Sequence, residues 1–290
     1  MGLLTVTGAG GFLGRHVVAE ALARGHRVRA ILRGGGAPPG AEEVRLDLAH
    51  ATPEAFAGAD ALILAHGALS GDPAVLARDV VEATAAACRA ARAAGVGRAV
   101  LAGSVAVYAV GEPGEEVAEE SPLGPRDAYG RAKAEEEAVA EGARVLRLGA
   151  LFGPGRLWCG HLGARVGPVA VRMGEGPIPA AWVAHAAEAL VLAAAGAGAG
   201  VVNVVDDDLP DAGRWLRALG MPAVPLPWQA LDAAAPMLGR LPGAPGLLRR
   251  PVLRGRLMPR RWPNGRLHAL GWRPRLGFEA AMARAREGRT

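Results

Sequence analysis

Eight residues near the start of the chain, Thr7-Gly8-Ala9-Gly10-Gly11-Phe12-Leu13-Gly14, constrain the fold more than any other stretch. They follow a short apolar run, Leu3–Thr7, that reads as a strand. They open a segment, Phe12–Arg24, whose apolar residues recur at helical spacing and which stops before Gly25. A strand that passes into a helix through glycines is the first turn of a β-α-β unit. Gly8 permits the tight turn, Gly11 lets backbone approach a pyrophosphate, and Gly14 allows close helix–strand packing. The helix start then offers free N–H groups and a partial positive charge to phosphates.

The same alternation continues. Strands are expected at Val28–Leu32, Val44–Leu48, Ala61–Ala65, Ala99–Gly103 and Arg144–Leu148. Between them lie a short turn or helix at Pro53–Ala57 and helices at Asp79–Ala94 and Asp127–Glu141. Alternation of this kind predicts a parallel, doubly wound α/β sheet of Rossmann type with helices on both faces. After Gly149 the pattern loosens into Gly- and Pro-rich chain. A helix at His185–Ala195 and a strand at Val201–Val205 are expected to rejoin the sheet. Helices are also expected at Asp211–Leu219 and Glu279–Glu287, while Pro222–Pro263 resists assignment. The expected organisation is a dinucleotide-binding domain over 1–150, rejoined by 180–206. A smaller, discontinuous C-terminal substrate part comprises 151–179 and 207–290.

Composition narrows the setting. Cys88 and Cys159 match no metal or disulfide spacing, and a reducing, cytoplasmic location is expected. The longest apolar stretch, around Ala184–Ala199, contains His185, Glu188 and glycines and reads as a buried helix, so no transmembrane segment is expected. From Arg240 to Thr290 there are thirteen arginines against two acids, Glu279 and Glu287. Such a region can meet an anionic substrate, an acidic membrane surface or nucleic acid, or be a solvated face of an arginine-biased chain. The partner expected is a small-molecule substrate, anionic in one reading, with no nucleic acid; a homodimer is compatible with the sequence.

The end of the second strand bears on which dinucleotide binds. An acid there accepts the ribose 2′-OH of NAD, whereas an arginine accommodates the 2′-phosphate of NADP. The segment Val28-Arg29-Ala30-Ile31-Leu32-Arg33 holds no acid. Arg33, with Arg29 as a helper, therefore points to NADP, with NAD as the alternative.

A second feature concerns chemistry. Of 33 basic residues one is lysine, Lys133, four residues after Tyr129. That spacing puts both side chains on one helix face, a turn apart. Lysine offers a compact point charge where arginine spreads its charge over a planar fork. An ammonium near a phenol favours phenolate, so the pair can act in proton transfer near neutral pH. The plain alternative is a surface pairing of Lys133 with Glu136 or Glu137.

Taken together, these motifs resemble the extended short-chain dehydrogenase/reductases. That group includes nucleotide-sugar epimerases, dehydratases and dihydroflavonol reductase-like enzymes. The T-G-x-x-G-x-x-G loop is Thr7 to Gly14, and Asp47-Leu48 resembles the Asp-Leu that approaches adenine. Leu62-Ile63-Leu64-Ala65-His66-Gly67-Ala68 is similar to the family's fourth strand beside the cofactor. Gly103-Ser104-Val105-Ala106-Val107-Tyr108 resembles its S-S-x-x-V-Y, and Tyr129 and Lys133 follow Ser104 at the family's typical separation. Arg147 to Gly155 resembles R-x-x-x-x-x-G-P-G, and Leu270-Gly271-Trp272-Arg273-Pro274 resembles L-G-W-x-P.

The resemblance implies an NAD(P)-dependent enzyme. Tyr129 is the implied general acid/base, Ser104 the partner on the same substrate oxygen, and Lys133 the residue that holds the nicotinamide ribose and lowers the tyrosine pKa. Gly8, Gly11, Phe12, Leu13, Gly14, Arg33, Asp47, Leu48, Ala65, His66, Gly67 and Lys133 are the implied cofactor contacts. No metal is expected. Tyr108 has no lysine partner and is implied to line the pocket or pack.

Some positions depart from the pattern. Asp79 replaces an asparagine that supports a proton relay, and Val105-Ala106 after Ser104 argue against dehydration. His185 stands in a V-H-x-x-D-like element and reads as a packed histidine. The expected function is NADP-dependent interconversion of a carbonyl and a secondary alcohol. The alternatives are an NAD-dependent nucleotide-sugar epimerase and a non-catalytic dinucleotide-binding protein.

Overall fold

A computed structural model describes residues 2–196, 200–238 and 248–288. Seven parallel strands form one sheet: β1 (Leu3–Thr7), β2 (Arg27–Leu32), β3 (Glu42–Arg45), β4 (Ala61–Leu64), β5 (Ala99–Ser104), β6 (Arg144–Leu148) and β11 (Gly200–Val204). Their order is β11-β6-β5-β4-β1-β2-β3. The chain runs outward from β1 to β3, then crosses back to β4, so the order reverses between β1 and β4, the place where such sheets bind ligands. Every residue of β1, β4 and β6 is buried, as expected when helices cover both faces.

Alternate residues serve the two faces. Leu4, Val6, Ile63 and Leu146 pack with helices α1 (Gly14–Ala23) and α5 (Val183–Ala195). Leu62, Leu64, Leu101 and Val145 pack with α3 (Ala83–Ala93). Trp272, from the L-G-W-x-P segment, is fully buried in the first cluster and donates from its indole to the His185 carbonyl at 3.1 Å. Residues 197–199, the end of the apolar stretch noted above, lie outside the described residues. No helix among the described residues is long and apolar enough to cross a membrane.

The expected elements are present, with boundaries displaced for local reasons. The third strand is not Val44–Leu48 but Glu42–Arg45. Asp47 accepts from the Ala49 amide at 3.2 Å and caps a 3-10 turn, Leu48–His50, which stops the strand early. The helix expected over Asp79–Ala94 begins earlier and is not uniform. It starts with the turn α2 (Pro73–Leu76), capped by Asp72, and passes through a wide π-helical stretch, Ala77–Glu82, into α3.

The remainder builds a smaller part beside the sheet's carboxyl ends. Strands β7 (Ala150–Phe152) and β10 (Ala180–Trp182) pair in parallel. Strands β8 (Gly163–Val166) and β9 (Val169–Arg172) form a hairpin that β12 (Ala223–Pro225) extends. Helices α6 (Ala212–Ala218) and α10 (Phe278–Arg286) close over an aromatic cluster in which Phe152 lies 5.2 Å from Trp215 and 5.5 Å from Phe278. The segment that resisted assignment contains α7 (Trp228–Leu238) and α8 (Arg250–Leu257), and a short α9 (Gly265–Ala269) follows it. Residues 239–247 of it lie outside the described residues.

The described arginines of this region lie mostly at the surface, and several of them pair with acids. Arg250 and Arg254 both bind Asp232, at 2.9 and 2.7 Å. Arg266 pairs with Glu119 and Glu120, and Arg275 with Glu20 and Glu188. Part of the basic excess is thus matched by acids elsewhere in the chain, on a face that is still largely solvated.

Candidate active site

A cleft of about 940 Å³ opens at the carboxyl ends of the central strands. Its near wall is the glycine loop. The Gly11 amide donates to the Gly8 carbonyl at 2.9 Å, which closes the turn. Gly8 has φ +64°, and a Cβ there would meet the His66 backbone at 2.6 Å. Gly14 begins α1, and a Cβ on it would stand 2.1 Å from the Gly8 carbonyl oxygen. These contacts exclude side chains and leave bare backbone facing the cleft, a cradle that fits a dinucleotide pyrophosphate. Gly8, Gly11, Phe12 and Leu13 line the cleft, whereas Gly14 does not; its part is to let loop and helix close.

Arg33, Asp47, Leu48, Ala65, His66 and Gly67 line the same cleft. Arg33 is exposed and bridges to Asp79 of the π-helical stretch, at 3.1 and 3.4 Å to its two oxygens. Arg78 holds the same carboxylate at 2.8 Å, and the two guanidiniums, Arg78 first, keep Asp79 below the usual carboxylate range. Asp79 is thus committed to a charge pair. Arg29 is not at the cleft: it pairs with Glu42 and donates to the Ala57 carbonyl.

The far wall holds the serine, tyrosine and lysine singled out in the sequence. Ser104 ends β5, and its hydroxyl accepts from the Ala106 amide at 3.2 Å, capping the turn that follows. Helix α4 (Ala128–Val139) starts where Asp127 accepts from the Gly130 amide at 2.8 Å. Gly130 lets it approach closely, since a Cβ there would meet the Ala106 carbonyl at 2.7 Å. Tyr129 and Lys133 project from this helix, and both line the cleft with Ser104. Tyr129 packs against a patch of Leu76, Val80 and Ala132.

Lys133 is 4% exposed, so the surface pairing with Glu136 or Glu137 gives way to a buried one. Its ammonium donates to the Ala102 carbonyl at 2.8 Å and pairs with Glu136. Burial alone would lower the lysine; the Glu136 charge, with Tyr129 and Glu137, more than offsets it, and Lys133 is held above its usual range. Glu137 turns the other way and binds Arg147 at 2.8 Å, tying α4 to β6. Tyr108 is fully buried, donates to Asn203 at 2.6 Å and lies under Arg147; it packs and does not line the cleft. His185 is likewise packed, with Nδ1 on Asp206 at 2.9 Å and Nε2 accepting from the Arg275 amide.

The cleft extends to residues that the sequence did not single out one by one, two of them arginines from the basic stretch after Arg240. Arg126, Arg256 and Arg260 gather at its outer end with Trp158, His161 and Trp262. Arg260 is 3% exposed and held down to about 10 by burial and by Arg126. Arg126 is also lowered by burial, and its Nη1 has no partner among the described residues. Arg256 reaches Asp127 at 3.4 Å, and Arg156 lies over the Phe12 ring. Burial pushes the Cys159 thiol up to about 12, which leaves it protonated and unsuited to attack. No cluster of His, Cys, Asp and Glu that could hold a metal occurs among the described residues.

Comparison with known proteins finds relatives in sequence and in fold. The chain is 32% identical to a 3-diazoavenalumate denitrifying reductase of a Streptomyces species, over 93% of this chain and 95% of that protein. The fold is similar to that of the Thermus thermophilus UDP-glucose 4-epimerase in complex with NAD, with TM-score 0.70, 22% identity, and 97% and 96% of the two chains covered. It is also similar to a dTDP-glucose 4,6-dehydratase from Streptomyces venezuelae with NAD bound, with TM-score 0.75, 21% identity, and 98% and 96% covered. The model of the NAD dependent epimerase/dehydratase family matches residues 4–166, and the chain belongs to that family.

Proposed function

We propose that this enzyme is an NADP-dependent oxidoreductase that interconverts a carbonyl and a secondary alcohol on an anionic small molecule. The observation that carries the reading is the gathering of Ser104, Tyr129 and Lys133 on one wall of the cleft whose other wall is the glycine cradle. In this reading residues 1–150 and 180–206 hold the dinucleotide, and 151–179 and 207–290 hold the substrate. When bound, the nicotinamide supplies or accepts the hydride.

The chain's own groups handle the proton. Tyr129 Oη gives its proton to the substrate oxygen during reduction and takes it back during oxidation. Ser104 donates a hydrogen bond to the same oxygen and steadies the charge that builds there. An ammonium has three N–H bonds, of which the Ala102 carbonyl and Glu136 take two, leaving one for the cleft. Arg126, Arg256 and Arg260 supply the positive potential that suits an anionic substrate. The 32%-identical relative is a reductase by name, which supports a reductive direction.

The second reading is a nucleotide-sugar epimerase with retained NAD, favoured by the same arginines, which suit a diphosphate. Mass identification of the nucleotide that co-purifies, followed by carbonyl-dependent oxidation of added NADPH, separates the two. Exchangeable NADPH supports the first; NAD(H) that stays bound with no NADPH turnover overturns it.

The cofactor choice has its own test. Arg33→Ala removes the guanidinium at the end of β2 but leaves Asp79 paired with Arg78. NADPH binding is expected to weaken by roughly 10- to 100-fold, since a charged hydrogen bond contributes about 1.5–3 kcal/mol, while NADH binding changes little. Equal loss for both nucleotides, measured by fluorescence titration, would sink the NADP assignment.

A further inference from the structure

Glu136 does not line the cleft, yet among the described residues it is the most deeply buried acid, 0% exposed. Its Oε2 pairs with Lys133, and its Oε1 accepts from Thr84 Oγ1 at 3.0 Å. A threonine hydroxyl has one proton. Having given it to Glu136, Thr84 must accept from His66 Nε2, 3.1 Å away. His66 is then neutral with its proton on Nε2, in keeping with a pKa pushed down to about 3 by burial and by Lys133. Its Nδ1 accepts from Thr7 Oγ1 at 2.8 Å, and Thr7 accepts from the Ala65 amide at 3.2 Å. Thr7 also reaches the Ile63 carbonyl, but at 3.4 Å against 2.8 Å to His66; with its proton on the shorter bond, the row runs toward Glu136. Aligned donors polarise one another and favour a charged carboxylate at the end of the row.

The other charges near Lys133 are already matched. Tyr129 and Glu137 share its helix, His66 faces it from the end of β4, and Arg33 and Asp79 lie beyond His66. Glu137 is bound by Arg147, and Asp79 by Arg33 and Arg78. Glu136 alone of these acids has no arginine. Burial raises its carboxyl above the ordinary range, and the Lys133 ammonium and the Thr84 hydroxyl pull it back.

We propose that Glu136 is the counter-ion of the site, a positioning residue that balances the buried Lys133 ammonium and fixes it against the Ala102 carbonyl. The Thr84–His66–Thr7 row anchors that carboxylate to the strand end from which the glycine cradle springs. The functional meaning rests on the reading that Lys133 serves Tyr129, but the test does not.

Because Lys133 is the only lysine, protein grown with [13Cε]lysine gives one side-chain resonance, and its pH titration reports this ammonium directly. In Glu136→Gln the midpoint is expected to fall by about two pH units or more, the scale of buried lysines without a partner. Thr84→Val keeps both charges and removes the donor. In that variant the step by which the resonance senses Glu136 protonation is expected to move to higher pH. An unchanged midpoint in Glu136→Gln overturns the proposal. Should Glu136→Gln fail to fold, a Thr84→Val titration identical to the parent overturns it instead. Loss of the Tyr129 reading, by contrast, would appear in turnover and leave these titrations as they are.

Discussion

Tyr129→Phe is expected to lower turnover by about 10²- to 10⁴-fold, the usual worth of a positioned general acid, while nucleotide binding stays within about twofold. The substitution removes one oxygen. The ring remains to fill the patch formed by Leu76, Val80 and Ala132, so little stability is at stake. Lys133 keeps its two bonds, to the Ala102 carbonyl and Glu136, since neither involves the phenol. Ser104 remains, capped onto the Ala106 amide, and can still polarise a substrate oxygen, which sets a floor above zero activity. The measurement is kcat with a carbonyl panel beside an NADPH titration on the same preparation. Unchanged turnover would remove Tyr129 from the chemistry. Binding without turnover in both parent and variant would favour a protein that only binds the dinucleotide.

The sequence made the sheet and its cofactor wall legible because both depend on local patterns. Strands β1 and β6 have the expected limits, since each is a short run rich in Leu and Val that stops at a glycine, Gly8 or Gly149. The glycine loop was readable because its demands are steric and local, as the contacts a Cβ would make at Gly8 and Gly14 show. The π-helical stretch was not readable, because no glycine, proline or other local signal in Ala77–Glu82 marks a widened turn. It matters to the site, since Asp79 and Val80 line the cleft from it.

The arginine-lined end of the cleft was hidden for a different reason. In a chain that writes nearly every cation as arginine, no single arginine carries a signal. Arg126, Arg256 and Arg260 converge only because a loop before α4 and the chain around and after α8 fold to the same place, far apart in sequence. Glu136 was visible as a neighbour of Lys133, but a partner three residues away reads as a surface ion pair. Only the fold, which buries α4 against α3 through Thr84, turns that pair inward.

Lys133→Arg is expected to lose turnover by about 100-fold or more and to destabilise the fold by about 1–3 kcal/mol, the usual cost of overpacking. The position is 4% exposed, and its head group is placed by one carbonyl at 2.8 Å and one buried carboxylate. A guanidinium is larger and planar, and its fork cannot meet the Ala102 carbonyl and Glu136 while keeping a compact charge beside Tyr129. Lys133→Met tests the charge itself. It leaves Glu136 buried without its cation, a loss of about 3–5 kcal/mol if the carboxylate stays ionised. Glu136, already raised by burial, escapes part of that cost by taking up a proton. A carboxyl whose folded-state pKa lies above its unfolded value contributes stability at low pH that is lost as pH rises through the folded value. Thermal melts of Lys133→Met should therefore fall away from the parent as pH increases and approach it in acid. A pH-independent gap would mean that Glu136 does not carry the charge assigned to it. Near-normal turnover in Lys133→Arg would mean that the one lysine in this chain was kept by chance.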